Sequence, residues 1–312
     1  MSVDEQEREE GLAAMSFRDH LEELRRRVIY SLIAVFIAMA FFLFSKDGVM
    51  GILSQPYESM WARSAIQWKA EYDAIDVGAL KEEALRLRTI VDRHWAEFFE
   101  NGSVPGIDYP SYLASAGFKL PKNLVSITPM QDIVTYMIAA LIFGAIVAAP
   151  ILLWQLWAFI GAGLYKNERK AVMSYVPFSL VLFASGAAFG YFVMVPYALE
   201  FLVALGSSDF MLTVRDYFNF LFLLTVALAF VFQLPLVMTV LTRFGIVEPA
   251  IYVRYWRQVV LGIFLIGAFL TPPDPVTQLL MAGPMVVLFA LGLLFSKVVA
   301  KRRREEEAGA EQ

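Results

Sequence analysis

The chain has 312 residues, of which 58% are hydrophobic, and its mean hydropathy is +0.58. This apolar content lies far above that of a soluble domain and predicts a polytopic membrane protein. The sequence has no cysteine, which excludes disulfides, thiol catalysis and cysteine metal sites. The net charge of -4 says little by itself, because the 26 basic residues are placed very unevenly.

The N-terminal segment predicts how the chain enters the membrane. Residues 1–15 are acidic and polar, and we expect a disordered tail there. From Ser16 to Arg27 the apolar residues recur at helical spacing, which predicts an amphipathic helix lying on the membrane surface. Its terminal basic triplet should stay on the cytoplasmic side. Residues 28–45 are uncharged and form the first predicted span, so residues 16–57 hold the surface helix and this span.

Glu23 is a carboxylate among arginines at the boundary between water and membrane, and it has two interpretations. It can form an i,i+4 ion pair with Arg27, beside a second pair of Glu22 with Arg26; such pairs contribute only about a few tenths of a kcal/mol. It can instead accept a cationic ligand. Spacing alone favours the ion pair, since most charge runs are solvated faces.

Residues 58–124 form a long polar segment that we predict to be a helical extracytoplasmic insertion. Apolar stripes at helical spacing run over Glu58–Asp76 and Ala79–Phe99, and Gly78 separates them. Each stripe is too charged to span a membrane, yet a lone helix would leave its apolar face in water. The two helices should therefore pack together, or onto the outer ends of the spans.

Spans two to six are predicted within residues 125–296, and a charged cytoplasmic tail follows at 297–312. The second span is longer than a hydrocarbon core, which implies a tilt, a kink at Pro150 or protrusion from the membrane. We expect the third span to be interrupted at Pro177 and closed at Pro196. Most basic residues fall in the predicted inside segments, which indicates an all-α polytopic membrane protein with six transmembrane helices and both termini cytoplasmic. The apolar runs cover 133–162, 171–195, 218–241, 259–270 and 276–295.

The segment from His20 to Arg27, followed by an apolar run, resembles the N-terminal signature of the TatC family. TatC is the multi-span receptor subunit of the twin-arginine protein translocase. Three further segments resemble TatC motifs in the same order, although the family usually has a proline where this chain has Ala162. The resemblance covers residues 16–56 and 125–295. These segments are Phe159–Lys170, Phe232–Pro235 and Thr271–Asp274.

The resemblance implies a set of functional residues. Signal peptides with two adjacent arginines are expected to bind at the cytoplasmic face, on Glu23, Arg25, Arg27, Phe159, Glu168 and Arg169. Gln233 stands where the family often carries a glutamate that contacts partners, and an interhelical hydrogen bond is a compatible second role. Pro56 and Asp274 are assigned structural roles.

The implied partners are twin-arginine signal peptides of folded cargo, single-span TatA-type and TatB-type subunits, other copies of the chain, and membrane lipid. No cofactor, metal or nucleic acid is expected. The family implies transport that uses the proton gradient, in the cytoplasmic (inner) membrane of a bacterium.

Other classes of protein fit the sequence less well. It lacks a Gly-x-x-x-x-Gly-Lys-Ser/Thr phosphate loop, and its two histidines, His20 and His94, support neither a zinc site nor a serine–histidine dyad in the membrane. We therefore predict a receptor rather than an enzyme. The alternative is a secondary transporter of a small solute, which would be expected to show internal repeats and ionisable groups at the midplane.

Overall fold

The computed structural model describes residues 17–75, 82–101, 113, 124, 126–163, 169, 172–205, 212–270 and 275–310, and its elements over these residues are helices. The predicted acidic tail at 1–15 lies outside the described residues. In chain order the helices are α1 Phe17–Leu43, α2 Lys46–Asp73, α3 Glu82–Asn101, α4 Pro129–Val147, α5 Ala149–Ala162, α6 Val176–Phe189, α7 Val195–Leu205, α8 Val214–Val231, α9 Leu234–Arg243, α10 Pro249–Arg254, α11 Trp256–Leu270 and α12 Pro275–Ala310.

Five helical stretches among the described residues are long and apolar enough to cross a membrane. Two shorter apolar helices accompany them: α5, which continues α4 beyond a turn at Ala148, and α11, which is the short fifth run of the sequence. This order fits six spans, and the predicted all-α, multi-pass fold is confirmed. The five stretches are Arg18–Leu43, Met130–Val147, Val176–Val203, Val214–Arg243 and Pro275–Glu305.

The N-terminal segment is not a separate surface helix. Helix α1 runs without interruption from Phe17 to Leu43, so the amphipathic segment is one end of the first span itself. The sequence has no glycine or proline from Phe17 to Leu43 that would end the helix. The basic triplet and the apolar run therefore belong to one continuous helix.

Prolines shape the middle spans, though not always where the sequence suggested. Pro150 lies in the first turn of α5, just after the turn at Ala148, as expected for a kink. Pro177 likewise lies in the first turn of α6, where its missing N–H has no helical partner to lose. The predicted end at Pro196 is wrong, because the span continues to Val203. A π-helical turn, Gly190–Met194, precedes Pro196 and gives the backbone the local adjustment that a proline within a helix requires.

The described chain divides into two compact units. The first comprises residues up to Lys46 together with 137–190 and 222–312. The second comprises 47–136 and 191–221.

Small residues allow the spans of the first unit to approach closely. At Gly144 in α4, a Cβ atom would lie 2.7 Å from the backbone nitrogen of Met39 in α1. At Gly186 in α6, it would lie 2.7 Å from the carbonyl oxygen of Leu228 in α8. Close backbone approach of this kind is how helices gain packing energy in a membrane, where burial from water cannot drive them together. A core of buried side chains fills the interior nearby, including Leu153, Trp157, Val172, Phe183, Leu236 and Val240.

In the second unit the two helices of the insertion pack against each other through aromatic rings. The ring centroids of Trp61 and Phe98 are 5.8 Å apart, and those of Trp68 and Trp95 are 5.9 Å apart. Lys69 of α2 lies 2.8 Å from the carboxylate of Asp92 in α3. Burial lowers the pKa of Lys69, but its hydrogen bonds to aspartates outweigh that effect and leave the pKa raised. The insertion is thus a helical hairpin whose two helices are joined by aromatic contacts and by the Lys69–Asp92 ion pair.

Pro56 lies inside helix α2 and is buried. A proline has no N–H, so the carbonyl of Ile52, four residues earlier, loses its helical partner. The hydroxyl of Tyr191, in the same compact unit, donates a hydrogen bond to that carbonyl. The hydroxyl of Tyr217 donates a second bond, 2.7 Å long, to the carbonyl of Leu53. The proline therefore creates an acceptor on α2 that a tyrosine of a later helix satisfies.

The close approach at Gly144 predicts that Gly144→Val lowers the free energy of unfolding by about 1–3 kcal/mol, because the new side chain meets backbone that cannot yield. Thermal unfolding of the detergent-solubilised protein measures this. Gly262→Val is the matched control, since nothing lies within 4 Å of a Cβ atom at that helical position. Equal losses in the two variants would contradict the packing argument.

The carbonyl freed by Pro56 predicts a coupled pair. Tyr191→Phe should lower the free energy of unfolding by about 0.5–1.5 kcal/mol, because the Ile52 carbonyl loses its donor. In a Pro56→Ala background the restored backbone N–H can serve that carbonyl, so Tyr191→Phe should cost less. A double-mutant cycle on thermal unfolding gives the coupling, and strict additivity of the two changes would refute it.

Candidate functional site

The strongest polar cluster of the first unit lies where one end of α1 meets α5. Arg27 forms an ion pair with Glu23, one helical turn earlier. It also donates a hydrogen bond of 3.1 Å from Nη1 to Oε1 of Gln155 in α5. The side chains of Arg27 and Glu23 are only 15% and 20% exposed. Because the pair is partly buried, water screens it less than a surface pair, and the electrostatic interaction between the two side chains is stronger than in a solvated pair.

One turn towards the N-terminus, an aromatic contact continues the same interface. The ring of His20 stacks on the ring of Phe159, with centroids 4.5 Å apart and planes inclined by 24°. Gly163, just after the end of α5, lies beside the same ring, since a Cβ atom there would be in van der Waals contact with Cε1 of His20. His20, Glu23 and Arg27 follow one another at spacings of three and four and therefore lie on one face of α1. Helix α5 contacts this face through Phe159 and Gln155.

Two nitrogen atoms of this interface are buried without a partner among the described residues: Nδ1 of His20 and Nε of Arg27. Buried polar groups are nearly always hydrogen-bonded in folded proteins. Unsatisfied nitrogens beside a partly buried carboxylate mark a place where polar atoms of a ligand would be stabilised.

The predicted ion pair of Glu23 with Arg27 is present in the structure. The second predicted pair, Glu22 with Arg26, is not. Arg26 does not pair with Glu22; instead its Nε donates to the hydroxyl of Tyr30 at 3.4 Å, and the guanidinium lies over that ring. Tyr30 is one further turn along the helix, on the exposed side. Aromatic contact and a hydrogen bond in one residue outcompete a solvated carboxylate.

The remaining residues of the predicted site are only partly brought together. Arg25 is exposed and lies on a different face of α1 from Arg27. Arg169 is exposed, and its Cγ would lie 3.2 Å from a Cβ atom at Gly161, so its side chain packs against the end of α5. Glu168 and Asp274 lie outside the described residues.

An apolar cavity of about 390 Å³ adjoins the polar cluster. Its walls come from α1, α4, α5, α6 and α8, and Arg27 and Gln155 stand at its polar edge. A charged edge next to an apolar cavity suits a ligand that carries cationic and apolar parts in sequence. The apolar lining includes Val28, Ile146, Leu152, Phe183, Val226 and Phe230.

Gln233 lies at the break between α8 and α9 and is satisfied within the bundle. The hydroxyl of Ser179 in α6 donates to Oε1 of Gln233 at 2.8 Å, and Nε2 of Gln233 donates to the backbone carbonyl of Ser179 at 2.9 Å. Ser179 is fully buried. The structure thus contains the interhelical hydrogen bond that the sequence suggested, and the partner-binding role stays a prediction.

Two members of these networks escaped the sequence reasoning: Gln155 and Ser179. Gln155 offered a usable signal, since it is a polar residue within an apolar helix. Ser179 offered none, because a serine in an apolar helix commonly bonds its own backbone. Among the described residues no group of three His, Asp or Glu side chains could hold a metal ion.

Comparison with known proteins shows which family this chain resembles. A family model described as Sec-independent protein translocase protein (TatC) matches residues 19–284. The TatC protein of Campylobacter jejuni is 34% identical over 193 residues, covering 61% of this chain and 79% of that protein. TatCy of Bacillus subtilis is 31% identical over 193 residues, covering 61% of this chain and 75% of that protein. A crystal structure of the twin-arginine translocase receptor TatC matches with a TM-score of 0.62 at 27% identity, covering 90% of this chain and 99% of that chain.

The apolar helices and their order define a multi-pass membrane protein. Because the family model covers most of the sequence, the chain belongs to the TatC family of Sec-independent protein translocase proteins. It is a receptor component of the Tat protein translocase and not an enzyme. Protein transport replaces the small-solute transporter that the sequence left as an alternative.

The hydrogen bonds of Gln233 predict a coupled stability effect. Gln233→Leu removes both interhelical bonds, whereas Ser179→Ala removes only the hydroxyl donor. A double-mutant cycle on thermal unfolding should therefore give a coupling of about 0.6–2 kcal/mol. Gln233→Glu keeps an acceptor for the Ser179 hydroxyl and should fall between wild type and Gln233→Leu. Zero coupling would mean that the contact contributes nothing to the bundle.

Proposed function

We propose that the interface of α1 and α5 binds the twin-arginine signal peptides of folded cargo proteins. The carrying observation is that the partly buried Glu23–Arg27–Gln155 network lies directly beside the apolar cavity. A twin-arginine signal presents two cations followed by an apolar stretch. One arginine of the signal would exchange with Arg27 for the Glu23 carboxylate, and the apolar stretch would lie along the cavity.

Glu168 supplies the second carboxylate in this proposal. Glu168 directly precedes Arg169 in the sequence, and the side chain of Arg169 packs against Gly161 near the end of α5, the helix whose Phe159 stacks on His20 of α1. Phe159 would hold the apolar part of the signal through the face not covered by His20. Arg25 and Arg169, both exposed, would keep other cations at a distance and select a ligand with a matched charge pattern.

Orientation follows from the distribution of charge. The basic end of α1 and the basic end of α12 would remain on the cytoplasmic side of the bacterial inner membrane, which places both termini inside. The hairpin of α2 and α3 would then lie on the opposite, extracytoplasmic side. Long polar segments cross irrespective of their charge, so the basic residues of the hairpin do not oppose this topology.

Transport itself requires partners. Single-span TatA-type and TatB-type subunits, together with further copies of this chain, would assemble with the receptor and pass folded cargo across the membrane at the expense of the proton gradient. Gln233 would serve such a partner contact through a rearrangement, since both the oxygen and the nitrogen of its side-chain amide are hydrogen-bonded within the bundle. It cannot take part in proton transfer, because an amide does not titrate.

The signal-binding proposal predicts unequal effects of two carboxylates. Glu168→Gln should weaken binding of a twin-arginine signal peptide by about tenfold or more, beyond the range of a surface ion pair. Glu23→Gln should weaken it less, because Arg27 already shares that charge in the free protein. Fluorescence anisotropy of a labelled peptide with the purified protein in lipid nanodiscs measures both.

The matched control is Glu22→Gln, an exposed carboxylate on the neighbouring face of α1, and it should leave affinity unchanged. A twin-lysine peptide should bind wild-type protein weakly, since lysine lacks the planar fork that pairs with a carboxylate. Unaltered binding in both Glu168→Gln and Glu23→Gln would remove the support for this site.

A further inference from the structure

Helix α11 is unusually short for its place in the bundle. It has 15 residues, Trp256–Leu270, which correspond to about 22 Å against a hydrocarbon thickness of about 30 Å. Helix α12, which packs beside it, has 36 residues. Charged residues at the start of α11 therefore need not lie at the same depth as the charged end of α12.

Contacts between the two helices define their register. Nε2 of Gln278 donates a hydrogen bond of 3.0 Å to the carbonyl of Phe264, and a Cβ atom at Gly267 would lie 3.9 Å from the backbone oxygen of Gln278. Gly267 therefore lies at the same depth in the membrane as Gln278. The two helices are antiparallel and rise equally per residue, so Arg257, ten residues before Gly267, lies at the depth of Leu288, ten residues after Gln278.

This level lies within the apolar band of α12. Lys297 follows Leu288 by nine residues, or about 13 Å along the helix, and the residues between them carry no charge. Several of the intervening side chains are exposed and apolar, which marks the part of the helix that faces lipid. They include Leu291, Leu294 and Phe295, which are 40%, 57% and 53% exposed.

The side chain of Arg257 is on the lipid-facing side of its own helix as well. Leu261 and Leu265 follow it at i+4 and i+8, on the same face, and are 62% and 55% exposed. Arg257 is exposed, as is Arg254 three residues earlier. Among the described residues neither arginine forms an ion pair or hydrogen bond; each guanidinium only lies over an adjacent ring, Arg254 over Tyr255 and Arg257 over Trp256.

A cation at an apolar level in a membrane is unfavourable unless an anion or water reaches it. We propose that Arg254 and Arg257 bind the phosphate of an anionic phospholipid, drawn in below the level of the surrounding headgroups. The guanidinium forks suit phosphate oxygens. Tyr255 and Trp256 have the amphipathic rings that settle at this boundary, and the exposed Leu261 and Leu265 would lie along the acyl chains.

The surrounding charge favours an anionic lipid over a zwitterionic one. Four exposed cations of α12 continue the basic surface beyond the apolar band. The carboxylates in the sequence of this corner are Glu248 and the run Glu305–Glu307, of which Glu305 pairs with Lys301. A basic cluster beside apolar side chains attracts lipids with net negative charge by about 1 kcal/mol for each cation. The four cations are Lys297, Lys301, Arg302 and Arg304.

The test reconstitutes the full chain in phosphatidylcholine vesicles that contain a minor fraction of brominated phosphatidylglycerol, whose bromine atoms quench nearby tryptophan fluorescence. Subtracting the signal of a W256F version isolates Trp256. We expect Trp256 to be quenched more than the bulk fraction of brominated lipid predicts. R254Q/R257Q should lower the affinity for this lipid roughly thirtyfold, which corresponds to about 1 kcal/mol for each arginine, and return quenching to the bulk level.

Two companion variants make the result decisive. R302Q/R304Q removes the same charge from exposed positions beyond the apolar band and should leave the excess quenching in place. R254K/R257K keeps the charge and should retain part of it, which shows that R254Q/R257Q does not act by disturbing the fold. The proposal is overturned if wild-type quenching follows the bulk fraction, if R302Q/R304Q abolishes the excess equally, or if brominated phosphatidylcholine is enriched to the same degree.

Discussion

In the hydrocarbon core of a membrane, a backbone carbonyl that loses its helical partner has no water to turn to and must be satisfied by the protein. Several helices of this chain contain prolines, and at two of them the structure shows a side-chain hydrogen bond to another part of the chain. In α2, outside the candidate spans, Pro56 frees the carbonyl of Ile52, which accepts a bond from Tyr191. Pro235 follows the break at Gln233, where the side-chain amide ties this bend to Ser179 on another helix. The bends of the bundle are therefore joined to hydrogen bonds between helices.

The need to pair polar groups within the protein also applies to the proposed signal site. A carboxylate at the membrane boundary is costly unless it is paired, and Arg27 provides that pair while its Nη1 donates a hydrogen bond to Gln155. In the proposed site, the pair with Arg27 holds the Glu23 carboxylate in place for an incoming arginine. The ligand then has to compete with an internal cation, which favours a signal that offers two cations and an apolar stretch at once.

Two places in the bundle treat arginine differently. At the α1–α5 interface, Arg27 is partly buried and paired within the protein. At the junction of α10 and α11, Arg254 and Arg257 are exposed and, among the described residues, contact only the rings of Tyr255 and Trp256. An arginine with an internal partner can serve a protein ligand by exchange, whereas one that faces lipid draws its counter-charge from the bilayer.

Local properties of the sequence determined the number, order and approximate bounds of the apolar helices, because hydropathy and helical periodicity act over a few turns. They also placed Glu23 and Arg27 one turn apart and set Gln233 beside a proline. Continuation of the third span beyond Pro196 depended on the π-helical turn that precedes this proline.

The partners of the polar side chains were decided only by tertiary structure. Arg27 meets a glutamine 128 residues away, Gln233 a serine 54 residues away, and Tyr191 a carbonyl 139 residues away. Such pairings depend on which helices become neighbours, and close approaches such as that of Gly144 to Met39 determine this through side-chain volume and shape. No periodicity within a single helix records the shape of its neighbour.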